Sequence, residues 1–317
     1  MERWTISLNY SLLAVRLLAQ IEAHTHVNLS LVNFFRQPTI EHLARLVQEQ
    51  LSDEVASSLI PIQPLGDKPP LFMIHPSGGS IHWYLDLGQA LAPEQPLYGI
   101  QAQGLNDAAP IQETIEEMAA QYVTVLRSVQ PHGPYRLGSW SMGVIIAYET
   151  AQQLVNAGEE VSHLFMLDQG PYQPNTPPED EAEYLLTFFG KRLPITLEAL
   201  RALPEAEQLP HVFRLAQSSG FLIKEITLEK FRRFYTILKI HEQAWRRYEH
   251  KPYPGTVILF KAESRPKDDH PAKDLGWEEL ARGGVEVISA PGDHNTMLHP
   301  PHLATFARKL RKALETS

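Results

Sequence analysis

Three residues of this 317-residue chain have the types and the order needed for nucleophilic acyl chemistry: Ser141, Asp168 and His294. Ser141 lies in Gly138-Ser139-Trp140-Ser141-Met142-Gly143, after the strand-like Tyr135-Arg136-Leu137 and before the helical Val144-Ile145-Ile146-Ala147-Tyr148-Glu149. A strand, a tight turn and a helix in that order lift a serine hydroxyl onto a sharp corner. The first helical N–H, that of Met142, then points at any oxyanion formed beside it. The stretch departs from Gly-x-Ser-x-Gly at one place, where Ser139 replaces the first glycine. Ser139 is still small, so the turn stays feasible.

Asp168 directly follows the apolar run Leu164-Phe165-Met166-Leu167, and catalytic groups of parallel sheets gather at the carboxyl ends of strands. Its expected role is to fix the tautomer of a histidine and stabilise its charged form. The histidine is His294, in Ala290-Pro291-Gly292-Asp293-His294, after the strand-like Val285-Glu286-Val287-Ile288. The chain holds 14 histidines, so place rather than type selects this one. The order Ser, Asp, His is that of α/β-hydrolases. Asp293 is the rival acid, ranked lower because adjacent residues rarely aim at each other. The loop His75-Pro76-Ser77-Gly78-Gly79 follows another strand, and its glycines allow close backbone approach. Ser77 or Gly78 is expected to add a second oxyanion N–H beside Met142. His241-Glu242 begins like a zinc-protease motif but has Trp245 where the second histidine is needed, so no metal site is expected.

These residues need a parallel sheet to hold them. From Leu71 to Asp168 short apolar strands alternate with helices, which implies a mostly parallel sheet covered on both faces. Residues 172 to about 250 break the alternation with helical patterns near 179–192, 205–218 and 228–249, as an inserted subdomain would. Strand patterns return at 256–260 and 285–288, and an amphipathic helix runs from about His302 to Leu314. Phe188, Phe221, Phe231, Phe234 and Tyr235 in the insertion suit an apolar channel, or, as the preferred reading, packing of the insertion on itself. Residues 52–69 look like a linker, and residues 1–51 like a small helical segment with Thr39 placed to cap its second helix. The expected layout is 1–51, 52–69 and 70–317.

Composition bounds the function classes. A formal charge of −9 argues against non-specific nucleic-acid binding. No apolar run reaches the roughly 20 residues of a membrane span, and the first residues lack a signal-peptide layout. The chain has no cysteine, which excludes disulfides, thiolate metal sites and a cysteine nucleophile, and fits a cytoplasmic protein.

Taken together, residues 70–317 resemble the thioesterase domain that ends nonribosomal peptide synthetases and some polyketide synthases. The resemblance rests on His75-Pro76-Ser77-Gly78-Gly79, Tyr98-Gly99-Ile100-Gln101, Gly133-Pro134-Tyr135, Trp140-Ser141-Met142-Gly143, Leu167-Asp168 and Gly292-Asp293-His294. It implies an α/β-hydrolase fold with a helical lid at about 172–250, the triad Ser141, Asp168 and His294, and no cofactor for the hydrolase itself. Ser11-Leu12-Leu13-Ala14-Val15-Arg16-Leu17-Leu18 and Phe34-Phe35-Arg36-Gln37-Pro38-Thr39-Ile40 resemble a peptidyl carrier protein. By that likeness Ser11 opens the helix that bears 4′-phosphopantetheine, although Leu8-Asn9-Tyr10 replaces the family's Gly-Gly-His/Asp and the first carrier helix is missing. The implied partners are a carrier-bound acyl or peptidyl thioester and other synthetase modules, with phosphopantetheine on Ser11 or on a partner carrier. Release by hydrolysis or macrocyclisation is the leading expectation. The alternatives are a type II editing thioesterase, a generic esterase, and a carrier-docking module whose hydrolase domain is inactive.

Overall fold

The computed structural model describes residues 8–25, 29, 34, 39–52, 58–105, 109–172, 176–222, 226–265 and 272–315. The chain divides into two compact units, Met1–Val55 with Asn175–Lys239, and Ala56–Pro174 with Ile240–Ser317.

The second unit carries the sheet. Its strands are β1 (Leu59–Gln63), β2 (Leu71–Ile74), β3 (Leu97–Ile100), β4 (Tyr135–Trp140), β5 (Val161–Leu167), β6 (Val257–Ala262) and β7 (Val285–Ala290). They lie in the order β1-β3-β2-β4-β5-β6-β7. All pairs are parallel except β1 with β3. The α/β-hydrolase expectation therefore holds in its mostly parallel sheet. The helices of this unit are α3 (Leu85–Leu91), α4 (Ile115–Val129), α5 (Gly143–Asn156) and α10 (Leu303–Glu315). Thr114 caps α4 as its sequence implies, its hydroxyl accepting from Glu117 N–H at 3.1 Å. β2 is buried at all four positions, and Tyr122, Tyr135, Tyr148 and Trp277 fill the core around it with no exposed surface.

The strand order decides where a site can form. β2 connects leftward to β3, whereas β4 connects rightward to β5, so the connections diverge between β2 and β4. That divergence opens a crevice at the carboxyl ends of the two strands. The loop 75–80 leaves β2 there, and the turn at Ser141 leaves β4 beside it.

The linker expected over 52–69 is corrected by β1, which occupies Leu59–Gln63 of it and pairs antiparallel with β3. Pro61 lies within this strand. At the sheet edge it needs no partner for its missing N–H, and the register slips between Pro61 and Gln63. Ile60 and Gln63 are buried there.

The first unit is helical. α1 (Leu8–Thr25) and α2 (Ile40–Ser52) come from the N-terminal segment. α6 (Glu181–Phe189), α7 (Leu197–Arg201) and α8 (Glu205–Ser218) come from the insertion, as does the first part of α9 (Leu228–Arg247). Thr39 caps α2, accepting from His42 N–H at 3.2 Å. Asp180 caps α6, accepting from Glu183 N–H at 2.9 Å. Phe231 and Tyr235 are buried with Phe189, and Phe188 and Phe234 pack on that cluster, so the preferred reading of self-packing holds for these residues. Phe221 is 40% exposed and lies under the Arg192 guanidinium instead. Lys230 of α9 forms an ion pair with Glu22 of α1. The lid expected to run to about 250 is corrected at its end. From Ile240 onward α9 belongs with the sheet, because Ala244, Trp245 and Tyr248 are buried in the sheet's core.

Candidate active site

Ser141 sits where β4 ends and α5 begins, with φ +58°. A serine in the left-handed region is uncommon and costs on the order of 1–3 kcal/mol, so the surroundings must enforce it. They do so through close contact. A Cβ added to Gly143 would lie 2.1 Å from His75 O and 2.2 Å from Ser139 Oγ, so only glycine lets α5 start this close to β2. Ser141 N–H donates to Leu167 O at 3.2 Å, tying the elbow to β5. Ser139 stands in the place of the motif's first glycine, at the second-last position of β4. It is a fully buried strand residue, and its hydroxyl donates to Ile74 O at 2.8 Å.

Asp168 follows β5 with φ +53° and is 1% exposed. Its N–H donates to Phe260 O at 2.8 Å, and its Oδ1 accepts from Ala262 N–H at 2.8 Å, so β6 orients the carboxylate. Arg265 also donates to Oδ1. Oδ2 faces His294 Nδ1 at 3.1 Å. A carboxylate oxygen accepts, so this contact fits the tautomer in which Nδ1 is the donor. Arg265 was invisible in the sequence. It lies 97 residues from Asp168, in a loop with no periodic pattern.

His294 leaves β7 in a loop that Asp293 shapes. Asp293 Oδ1 accepts from the Thr296 hydroxyl and from the N–H groups of Asn295 and Thr296, each at 2.9 Å. These bonds, led by the Thr296 hydroxyl, hold its carboxyl below the ordinary range. The rival acid is thereby occupied in building the turn. Met297 and Leu298 anchor the loop in the core. Trp140, next to Ser141, donates its indole N–H to His294 O at 2.9 Å.

The loop after β2 closes a turn through Gly79 N–H to Pro76 O at 3.1 Å. Gly78, at φ +86°, takes the position of that turn that only glycine occupies without strain. The turn uses the N–H of Gly79, whereas those of Ser77 and Gly78 stand before the closing bond. Beneath it His75 is fully buried, with Nδ1 2.8 Å from Pro76 O and Nε2 2.6 Å from Tyr122 Oη. Its ring stacks on His241 at 4.9 Å between centroids. Burial pushes His75 down to about 4, against the raising effect of the Pro76 carbonyl, and drives His241 well below its usual value. This pair holds up the loop as a neutral stack, and no sequence pattern linked its members.

Ser11 is the fourth residue of α1 rather than its first, because the helix begins at Leu8. Its side chain, with Phe35-Arg36-Gln37-Pro38, lies outside the described residues. Among the described residues no group of histidine, aspartate and glutamate has the arrangement of a metal site. No described helix is long and apolar enough to cross a membrane.

Comparison with known proteins follows the same division. Residues 69–314 match the thioesterase domain family, and residues 11–47 match the phosphopantetheine attachment site family. The chain is 32% identical over 315 residues to a dimodular nonribosomal peptide synthase of Bacillus subtilis (strain 168). That alignment covers 96% of this chain and 13% of the relative. Malpibaldin synthetase of Mortierella alpina is 29% identical over 312 residues, covering 97% of this chain and 5% of the relative. Among solved structures, holo-AB3403, a four-domain nonribosomal peptide synthetase bound to AMP and glycine, superposes with TM-score 0.77 at 28% identity. It covers 96% of this chain, which spans 24% of that one. The NocB thioesterase domain in covalent complex with a fluorophosphonate nocardicin G analog shares the fold at TM-score 0.59 and 24% identity, covering 81% of this chain and 99% of that one.

Proposed function

We propose that this chain, which belongs to the thioesterase domain family, releases an acyl or peptidyl chain from a carrier thioester through an ester on Ser141. The observation that carries the reading is the strained elbow at Ser141 together with the Asp168–His294 contact of 3.1 Å. The match of residues 11–47 to a phosphopantetheine attachment site supports a pantetheine thiol as the leaving group.

In this reading His294 Nε2 takes the proton of Ser141 Oγ as the oxygen attacks the thioester carbonyl. The oxyanion is met by the N–H of Met142 and by that of Ser77 or Gly78. Losing one such donor typically costs about 3–4 kcal/mol of transition-state stabilisation. Collapse breaks the C–S bond, and the imidazolium returns its proton to the departing sulfur. Water or a nucleophile within the acyl chain, deprotonated by His294, then attacks the Ser141 ester, giving a linear acid or a macrocycle. Asp168, held by Ala262 N–H and Arg265, stabilises the imidazolium in both halves.

Ser11 is the site we assign to 4′-phosphopantetheine. Its place in the first turn of α1 suits a phosphodiester, because the positive end of the helix dipole favours an anion there. The group would supply a thiol on a long flexible arm. The chain's association with other synthetase modules and its cytoplasmic location belong to the same proposal.

Turnover of an acyl N-acetylcysteamine thioester against the matching oxygen ester tests the reaction class. The proposal requires preference for the thioester and loss of turnover in Ser141→Ala. Full activity of Ser141→Ala would end it. Treatment with a phosphopantetheinyl transferase and coenzyme A, read by intact mass, tests Ser11. The expected gain is one phosphopantetheinyl group, absent in Ser11→Ala.

A further inference from the structure

Trp140 precedes the nucleophile in sequence, yet its side chain is spent on the histidine loop. The indole N–H donates to His294 O at 2.9 Å. The indole lies 5.1 Å from the His294 ring, with 32° between planes. Trp140 is 6% exposed. Its own backbone is held from the other side, where its N–H donates to Tyr84 Oη at 3.0 Å and Tyr84 Oη donates to Ile74 O at 2.8 Å. Trp83 packs on the indole at 5.1 Å and itself lies 5.5 Å from His299. A run of contacts thus leads from the end of β2, through the strand that carries Ser141, to the loop that carries His294.

The imidazole has a second restraint at Nδ1, from Asp168. A ring held at one nitrogen can still swing about that bond and carry Nε2 away from a serine oxygen. Fixing the histidine's backbone carbonyl and covering one ring face removes that swing. Because the fixing group is the residue next to the serine, nucleophile and base are located relative to each other rather than each to the sheet alone. We propose that Trp140 is a positioning residue that acts through His294. The inference rests on reading Ser141, Asp168 and His294 as the triad.

A positioning role and a merely structural one differ in how they combine with loss of the histidine. Displacing a catalytic group by about 1 Å costs on the order of a hundredfold, and a single neutral hydrogen bond is worth less than such a displacement. Trp140→Phe, which keeps a ring and loses the donor, should therefore lower kcat on a hexanoyl N-acetylcysteamine thioester about tenfold, with KM within about twofold. In a His294→Ala background the residual rate, about 10³–10⁴ over water in comparable enzymes, should not fall further when Trp140→Phe is added. An equal loss in both backgrounds, a loss carried by KM, or no loss in the wild-type background overturns the proposal. Should Trp140→Phe fail to fold, the same cycle is run with Trp140 exchanged for 3-benzothienylalanine, which has sulfur in place of the N–H and nearly the same shape. Labelling of the wild-type chain by a fluorophosphonate separates the two levels. No label on Ser141 defeats the triad reading itself, whereas a labelled wild type beside a fully active Trp140→Phe defeats only the role of Trp140.

Discussion

The sheet-bearing unit and the N-terminal helices each contain a serine of interest, Ser141 and Ser11, and the described buried clusters near them differ in size. Among the described residues, a cluster of 30 buried side chains is drawn from β2, β3, β4, β5, β6 and the helices and loops packed on them, Met142 next to Ser141 included. That density is needed, because Ser141 and Asp168 both adopt left-handed backbone that costs on the order of 1–3 kcal/mol each. Around α1 and α2, by contrast, the described buried cluster is Leu18, Leu29 and Leu43. The ion pair of Glu22 with Lys230 joins groups 28% and 40% exposed, and so adds well under about 1 kcal/mol. A serine that must attack needs a frame rigid enough to keep it strained. Under the proposed function, a serine that accepts a phosphopantetheinyl group would need only a helix turn that a modifying enzyme can reach.

The contrast can be broken at several points. The largest effect is expected at the nucleophile itself, where Ser141→Ala should lower kcat by about a millionfold without changing the melting temperature. Asp168→Asn comes next, at about ten-thousandfold in kcat, because the amide favours the wrong histidine tautomer. A third test is pH. His75 titrates near 4 when folded against 6.5 when free, so the unfolded chain binds the extra proton between those values. Stability of the sheet unit should be full above pH 6.5 and fall as pH drops toward 4, by about 3 kcal/mol for His75 alone. The groups that face it are His241 and Tyr122, and His75→Gln should flatten the slope in a series of melts. The fourth separates the regions. Leu18→Ala and Leu43→Ala should each cost about 2 kcal/mol in the protection of α1 and α2 against hydrogen exchange, while hydrolysis of a small thioester is unchanged. The smallest is Ser139→Gly, which removes one buried hydrogen bond and should cost about 1 kcal/mol with kcat altered by less than about threefold.

Much of the sheet unit was legible because its chemistry is local. The elbow at Ser141 and the cap at Thr114 are each specified by residues within a few positions of one another. The sequence also placed Asp168 and His294 by the strands they follow. What stayed hidden joins distant residues with no repeating pattern. Arg265 meets Asp168 across 97 residues, Trp140 meets His294 across 154, and His75 stacks on His241. β1 was missed for a different reason, since Pro61 reads as a breaker unless the strand is known to be an edge. The end of the helical insertion was misplaced because α9 is one unbroken helix while its packing partners change at Ile240.

Rapid quenching of the reaction with a hexanoyl N-acetylcysteamine thioester, followed by peptide mass mapping, tests the central claim most directly. The expected product is a hexanoyl ester on the peptide that contains Ser141, formed as fast as turnover requires and absent from Ser141→Ala. Acylation of another serine at that rate, or turnover with no acylated peptide, would contradict it.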